Sequence, residues 1–138
     1  MNRIIIKACA PVALLSLLFV MLALPVQALD VRAGDDIVIP ENEVIADDLI
    51  VTAATITLNG TVQGDLVAFG QTITVGPSGV VEGDLLAAGQ AVVIQGTVQD
   101  DARISGAVLA VGEGAEVGDD LIAAGYSLET GPGSLVGG

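Results

Sequence analysis

Apolar and polar positions along most of this chain keep a two-residue alternation that changes phase inside every repeat. Counting from Asp48, Asp65, Asp84, Asp101 and Asp120, apolar or small side chains stand one residue on at Leu49, Leu66, Leu85, Ala102 and Leu121. Three residues on they are Val51, Ala68, Ala87, Ile104 and Ala123, and three before it Ile45, Val62, Val81, Val98 and Val117. Odd offsets share one face of an extended strand, because strand side chains alternate with period two. At the fifth position come Ala53, Gly70, Gly89, Gly106 and Gly125, and beyond it the apolar set moves to even offsets: Ile56, Ile73, Val92, Leu109 and Leu128, then Leu58, Val75, Ile94 and Val111. A parity switch at a glycine predicts a strand, a corner and a second strand, with the glycine bending the chain through positive φ. Beyond residue 28 no 3.6-residue periodicity is present, so no helix is predicted there.

The phrase that marks each repeat is Val62-Gln63-Gly64-Asp65-Leu66, repeated as Val81 to Leu85, Val98 to Ala102 and Val117 to Leu121, with an earlier copy at Ile45 to Leu49. Its aspartates are spaced alternately by 17 and 19 residues. A period this short cannot enclose a core of its own, so each repeat is one layer of a stack. The length difference sits in a second corner, short at Asn59-Gly60-Thr61 and Gln95-Gly96-Thr97, long at 76–80, 112–116 and 131–135. The segment 39–45 fits the long form. The prediction is an all-β, single-stranded parallel β-helix of about five coils, each ~4.8 Å above the last. Crossover connections between parallel strands favour a right-handed helix. A left-handed hexapeptide helix is disfavoured, because no aliphatic recurs at strict six-residue steps. By domain, 1–28 is a leader, 29–44 an N-terminal half-coil or cap opening near Ile37, and 45–138 the repeats. The last repeat is incomplete at Val136-Gly137-Gly138, where an aspartate should follow.

The leader changes the functional reading. Arg3 and Lys7 precede an apolar run from Ala8 to Leu24, and Val26-Gln27-Ala28 forms a small-residue site. This is the pattern of a secretory signal peptide cleaved after Ala28. The alternative is an uncleaved membrane anchor, since the run is near the ~17-residue lower limit for a span. The expected location is across the inner membrane: periplasmic, on the cell surface, or tethered to the membrane. Cys9 lies within the run, so the part beyond Ala28 has neither a disulfide nor a thiol nucleophile. Of the 4 basic and 17 acidic residues in the chain, only Arg32 and Arg103 among the basic ones follow Ala28, whereas every acid does. The net charge there is 2 − 17 = −15. Such a surface repels nucleic acid, which binds clustered Lys and Arg. Disorder, common in acidic chains, does not fit a 52% hydrophobic chain with a regular repeat.

Catalytic chemistry finds few of its usual groups. The chain contains no histidine, which removes His-based acid–base catalysis and zinc sites of the usual kind. No Gly-rich loop leads into a lysine for phosphate binding. Phe69 and Tyr126 are the only aromatics after the leader, too few to stack sugars or bases. No enzyme activity, cofactor or small-molecule substrate is expected. One polar feature could bind an ion: Asp48, Asp65, Asp84, Asp101 and Asp120 should stack at one corner, with Asp47, Asp100 and Asp119 beside three of them. Oxygen-rich corners suit Ca²⁺. The competing reading is that each aspartate accepts backbone N–H bonds at its turn. Thr55, Thr57, Thr72 and Thr74 would form a Thr-x-Thr rank of the ice-binding kind, but it ends after two coils and ordinary β-propensity explains it.

Two surfaces are candidates for assembly. At offset two, Ile50, Val67, Leu86 and Ile122 point outward if the alternation holds, interrupted only by Arg103. A column of outward apolar side chains marks an association site; a local bulge would instead turn them inward. The second surface is the C-terminal coil, where Ser127, Leu128, Leu135 and Val136 lie on an edge guarded only by Glu129 and Pro132. The opposite end carries Asp30, Arg32, Asp35, Asp36 and Pro40 as blockers.

The rhythm Val-x-Gly-Asp-Leu, small residue, Gly-Gln, β-branched pair, Gly-x-Val resembles the bactofilins, and is clearest at 62–71 and 81–90. The resemblance runs from about Ile37 to Gly138. It implies a right-handed β-helix that joins end to end into filaments without nucleotide. Bactofilins are typically cytosolic with short flexible tails, whereas this chain begins with an export signal. The expectation is therefore an exported, non-enzymatic structural or polymer-forming β-helix of the cell envelope, self-associating through coil ends or the side column. Membrane contact is expected only through an uncleaved leader. The alternative is a binding module with calcium at the aspartate corner.

Overall fold

A computed structural model describes residues 29–137; the expected leader over 1–28 lies outside the described residues. All regular structure described is strand. Each coil has one long strand and one short one. The long strands are β1 (Asp30–Ile39), β3 (Leu49–Leu58), β5 (Leu66–Val75), the pair β7 (Leu85–Ala88) and β8 (Ala91–Ile94), β10 (Ala102–Val111) and β12 (Leu121–Thr130). The short ones are β2 (Val44–Ile45), β4 (Thr61–Val62), β6 (Val80–Val81), β9 (Thr97–Val98), β11 (Glu116–Val117) and β13 (Leu135–Val136). Long strands stack on long strands and short on short, all parallel, giving two sheets that climb the same axis. This is a β-solenoid of six coils.

The register follows the sequence columns. Leu49 pairs with Leu66, Leu66 with Leu85, Leu85 with Ala102, and Ala102 with Leu121. Ile56, Ile73, Val92, Leu109 and Leu128 form a second column and Val62, Val81, Val98, Val117 and Val136 a third. The middle members of each are almost wholly buried and make one continuous apolar core without a buried polar residue among the described residues. Each coil thus hides its apolar face only by lying between two others, so the stack holds together as a whole.

Two expectations are corrected. The stack has six coils rather than about five, because the first one is complete: Asp30 to Ile39 pairs along its length with Leu49 to Leu58. Asp30 and Arg32 occupy the places of Leu49 and Val51, and these polar residues hid the first half of that coil from a hydrophobic pattern. The glycine column also works differently. Gly70, Gly106 and Gly125 lie inside unbroken long strands, and only Gly114 and Gly133, both in long corners, have positive φ among the described residues. A Cβ at Gly70, Gly89, Gly106 or Gly125 would strike the carbonyl oxygen of Ala53, Gly70, Gly89 or Gly106 one coil earlier. Closeness between coils, rather than a left-handed bend, calls for glycine there.

Candidate functional site

The aspartate corner is a ladder. The Oδ1 atom of Asp48 accepts the backbone N–H of Asp65 at 2.8 Å, and Asp65 accepts that of Asp84 at 2.8 Å. Asp84 accepts the N–H of Asp101 at 3.0 Å, and Asp101 that of Asp120 at 3.0 Å. Each carboxylate therefore reaches up to the next coil instead of closing its own turn. The glycine before the aspartate belongs to the same device, since a Cβ at Gly64 or Gly83 would meet the Oδ1 of Asp48 or Asp65. A charged acceptor on an amide donor makes one of the stronger hydrogen bonds in proteins, and it ties neighbouring coils at a place where no strand runs. The five aspartates are thus placed on one edge, but each has its own backbone partner or, at Asp120, no coil above it among the described residues. No three acidic, His or Cys side chains among the described residues converge as a metal-binding group would.

The side column is outward, and the bulge that would turn it inward is absent. Val31, Ile50, Val67, Leu86, Arg103 and Ile122 lie in register on the solvent face of the long sheet. Leu86 is 43% and Ile122 57% exposed, while Ile50 and Val67 are half-buried by their neighbours. Val31, hidden from the sequence by the polar residues around it, extends the column to the first coil. Arg103 interrupts it, and its guanidinium turns to Asp101, 3.7 Å away.

The two ends of the rod differ in kind. The coil of β12 and β13 ends the described stack, each strand hydrogen-bonded on one side only. Leu128 and Val136, which continue buried columns, are 50% and 44% exposed there. Leu121 and Ala123 lie beside them over the same core, half-buried. Ser127 and Leu135, expected on the same edge, are both exposed, although they pair with the outward residues Val108 and Glu116 rather than with core residues. Leu121 and Ala123 belong to the same tail face and were legible in the columns.

At the opposite end, the head, β1 and β2 are likewise hydrogen-bonded on one side only, and Ile37, in the column of Leu128, is half-buried, but other apolar places are covered. Ile45, in the column of Val136, is 6% exposed, and Ile39 is 1% exposed. Arg32 stands over Val51 and lies between two acids from different sides of the coil. Its Nη2 donates to Glu43 Oε1 at 2.7 Å and to Asp30 Oδ2 at 3.2 Å, and its Nη1 donates to Glu43 Oε2 at 3.2 Å. These hydrogen bonds from Arg32 hold the Glu43 carboxyl below the usual carboxylate range. The same contacts with Glu43, then Asp30, raise the Arg32 guanidinium further above its already high value.

A family model described as "Bactofilin: Polymer-forming cytoskeletal" matches residues 30–135. No curated protein and no solved structure matches the chain. The matched span begins with the head coil and closes in the last short strand, so it takes in both ends of the described rod and all of its coils.

Proposed function

The chain belongs to the bactofilin family, a family of structural, polymer-forming proteins, and from that premise we propose that it is an exported member that builds a self-assembled structure in the cell envelope. The leader supports export, through Arg3, Lys7, the apolar run and the site at Ala28. Assembly proceeds through the tail, by contact with the tail of a second copy. The observation that carries this reading is the coincidence of two unmet needs on one face. Among the described residues the last coil presents apolar side chains at Leu128 and Val136 that every inner coil buries, together with a strand edge without a partner; β1 and β2 leave a backbone edge of the same kind at the head. The outward column offers apolar surface alone, with Arg103 in its middle, and is the weaker surface on that count. Calcium binding at the ladder loses its main support, because the carboxylates already accept backbone N–H groups.

A charge of −15 beyond Ala28 opposes close approach of two copies, and added salt screens it over distances of about 10 Å at 0.1 M. Light scattering and electron microscopy across ionic strength therefore test the reading. Association should strengthen with salt and be abolished by Ser127→Lys with Leu128→Lys. A particle that stays monomeric at high salt, or assembles equally well with both lysines present, would refute tail contact.

A further inference from the structure

We propose that the outer face of the first half of the long sheet pairs side by side with the same face of a second copy, and does so only once molecules are joined end to end. This rests on the polymer-forming reading above and adds how one polymer holds another. The distribution of charge singles out this face. Of the 17 acids in the chain none lies in β3, β5, β7, β8 or β10, and Arg103 is the only charge on those strands. Between the first and last coils, the acids stand on the short-sheet side and at its corners. Two such acidic rods can therefore approach along the long sheet without bringing carboxylates together, and along the short sheet they cannot.

The face is built from two outward columns. The first holds Ile50, Val67, Leu86, Arg103 and Ile122; the second, two residues on in each strand, holds Thr52, Phe69, Ala88, Ser105 and Ala124. On every one of these coils but that of Phe69, the larger side chain is in the first column and the smaller in the second. A two-fold axis running along the rods between the columns sets the first column of one copy against the second column of the other, an isologous contact. Leu86 of one copy then lies over Ala88 of the other, Ile122 over Ala124, and Arg103, still beside its own Asp101, over the Ser105 hydroxyl. At the exception Phe69 meets Val67, so two apolar groups oppose each other there. At ~4.8 Å per coil and ~3.3 Å per residue the face covers on the order of 300–400 Å² per copy. A stable interface needs about 800 Å² from each partner. Single molecules therefore gain too little to stay paired. Along two adjacent filaments every molecule contributes the contact again, while the entropy of association is lost once.

Electron microscopy of the full chain reads filament width and length separately. The unaltered chain should form filaments lying in side-by-side pairs, with short particles left unpaired. Leu86→Asp puts a carboxylate at the centre of the face and should give single filaments of unchanged length. Ala88→Leu enlarges the apolar surface but fills the space that Leu86 of the other copy takes, and should also give single filaments. Circular dichroism confirms that each variant is folded. Single filaments from the unaltered chain, paired filaments from folded Leu86→Asp, or thicker bundles from Ala88→Leu would each overturn the proposal. Ser127→Lys with Leu128→Lys separates it from the tail reading. Shorter particles that no longer pair support both claims, and short particles that still pair overturn the dependence on length. Long paired filaments from that variant remove the tail reading and leave the side face standing.

Discussion

Leu85 and Leu86 are adjacent and chemically identical, yet the same substitution should have opposite consequences at the two positions. Leu85 lies inside the fourth coil, 1% exposed, stacked between Leu66 and Ala102. Replacing it with Asp removes a buried leucine side chain, which costs about 2–5 kcal/mol. It also leaves a carboxylate among aliphatics, which must stay charged without a partner or take up a proton, at several kcal/mol more. Against a typical total stability of ~5–15 kcal/mol, that is enough to undo the stack around its middle. Leu86 is 43% exposed and forfeits on the order of 1–1.5 kcal/mol of burial on the same change. Its register partner on one side is Arg103, so an Asp there faces a cation and recovers a few tenths to about 1 kcal/mol. The net effect of Leu86→Asp is thus ~0–1 kcal/mol. Urea unfolding followed by circular dichroism reads both variants, and Leu85→Asp should be unfolded or nearly so in buffer while Leu86→Asp unfolds near the parent midpoint. Equal destabilisation would refute the register at this corner and the reasoning that rests on it.

Asp84→Asn keeps a side-chain acceptor for the Asp101 N–H and should change stability by less than about 0.5 kcal/mol, whereas Asp84→Ala should cost about 1–2 kcal/mol. Calcium should stabilise neither protein beyond the effect of equal ionic strength; a saturable rise in melting temperature that Asp84→Asn abolishes would reinstate the binding reading. The Glu43 carboxyl, lowered by its hydrogen bonds from Arg32, contributes stability that is present above its ordinary value of 4.5 and lost as pH falls through the lower folded value. Parent and Glu43→Gln should therefore differ in thermal stability at neutral pH and converge in acid; a gap that widens below pH 4.5 would reverse the sign of that argument. Terminal sequencing of protein recovered from outside the inner membrane should begin at Leu29, and a chain still starting at Met1 would favour the anchor.

The columns are legible in the sequence wherever a coil repeats its neighbour's chemistry. Val62, Val81, Val98 and Val117 announce a buried column because nothing but a stack makes four such valines necessary at that spacing. The outward direction of Leu86 followed from the same alternation. The pattern failed where the repeat departs from itself for a reason of position. Asp30 and Arg32 stand at core positions in the first coil of the described stack, and their polarity disguised a full strand. The ladder was visible as a spacing but its direction was not: that Oδ1 of one coil reaches the N–H of the next is set by the distance between coils, which no single repeat contains. The role of Gly64 and Gly83 was hidden for the same cause, since the atom they make room for belongs to the preceding coil. The paired surfaces of the tail were partly legible, with Leu128 and Val136 over the core and Ser127 and Leu135 at its margin.

The two corner lengths have a further consequence. Leu58 and Thr61 enclose two residues, Val75 and Val80 enclose four, yet Ile45, Val62, Val81 and Val98 remain in one column and the aspartate rungs do not miss a step. The second corner therefore works as an expansion joint. Residues gained or lost there change the outline of one layer without displacing any residue above or below it. The same change between Val62 and Asp65 would throw every later layer out of phase. A gene that encodes such a chain can vary its contour at one edge and its height in whole layers, while the opposite edge stays the fixed ruler against which both are measured.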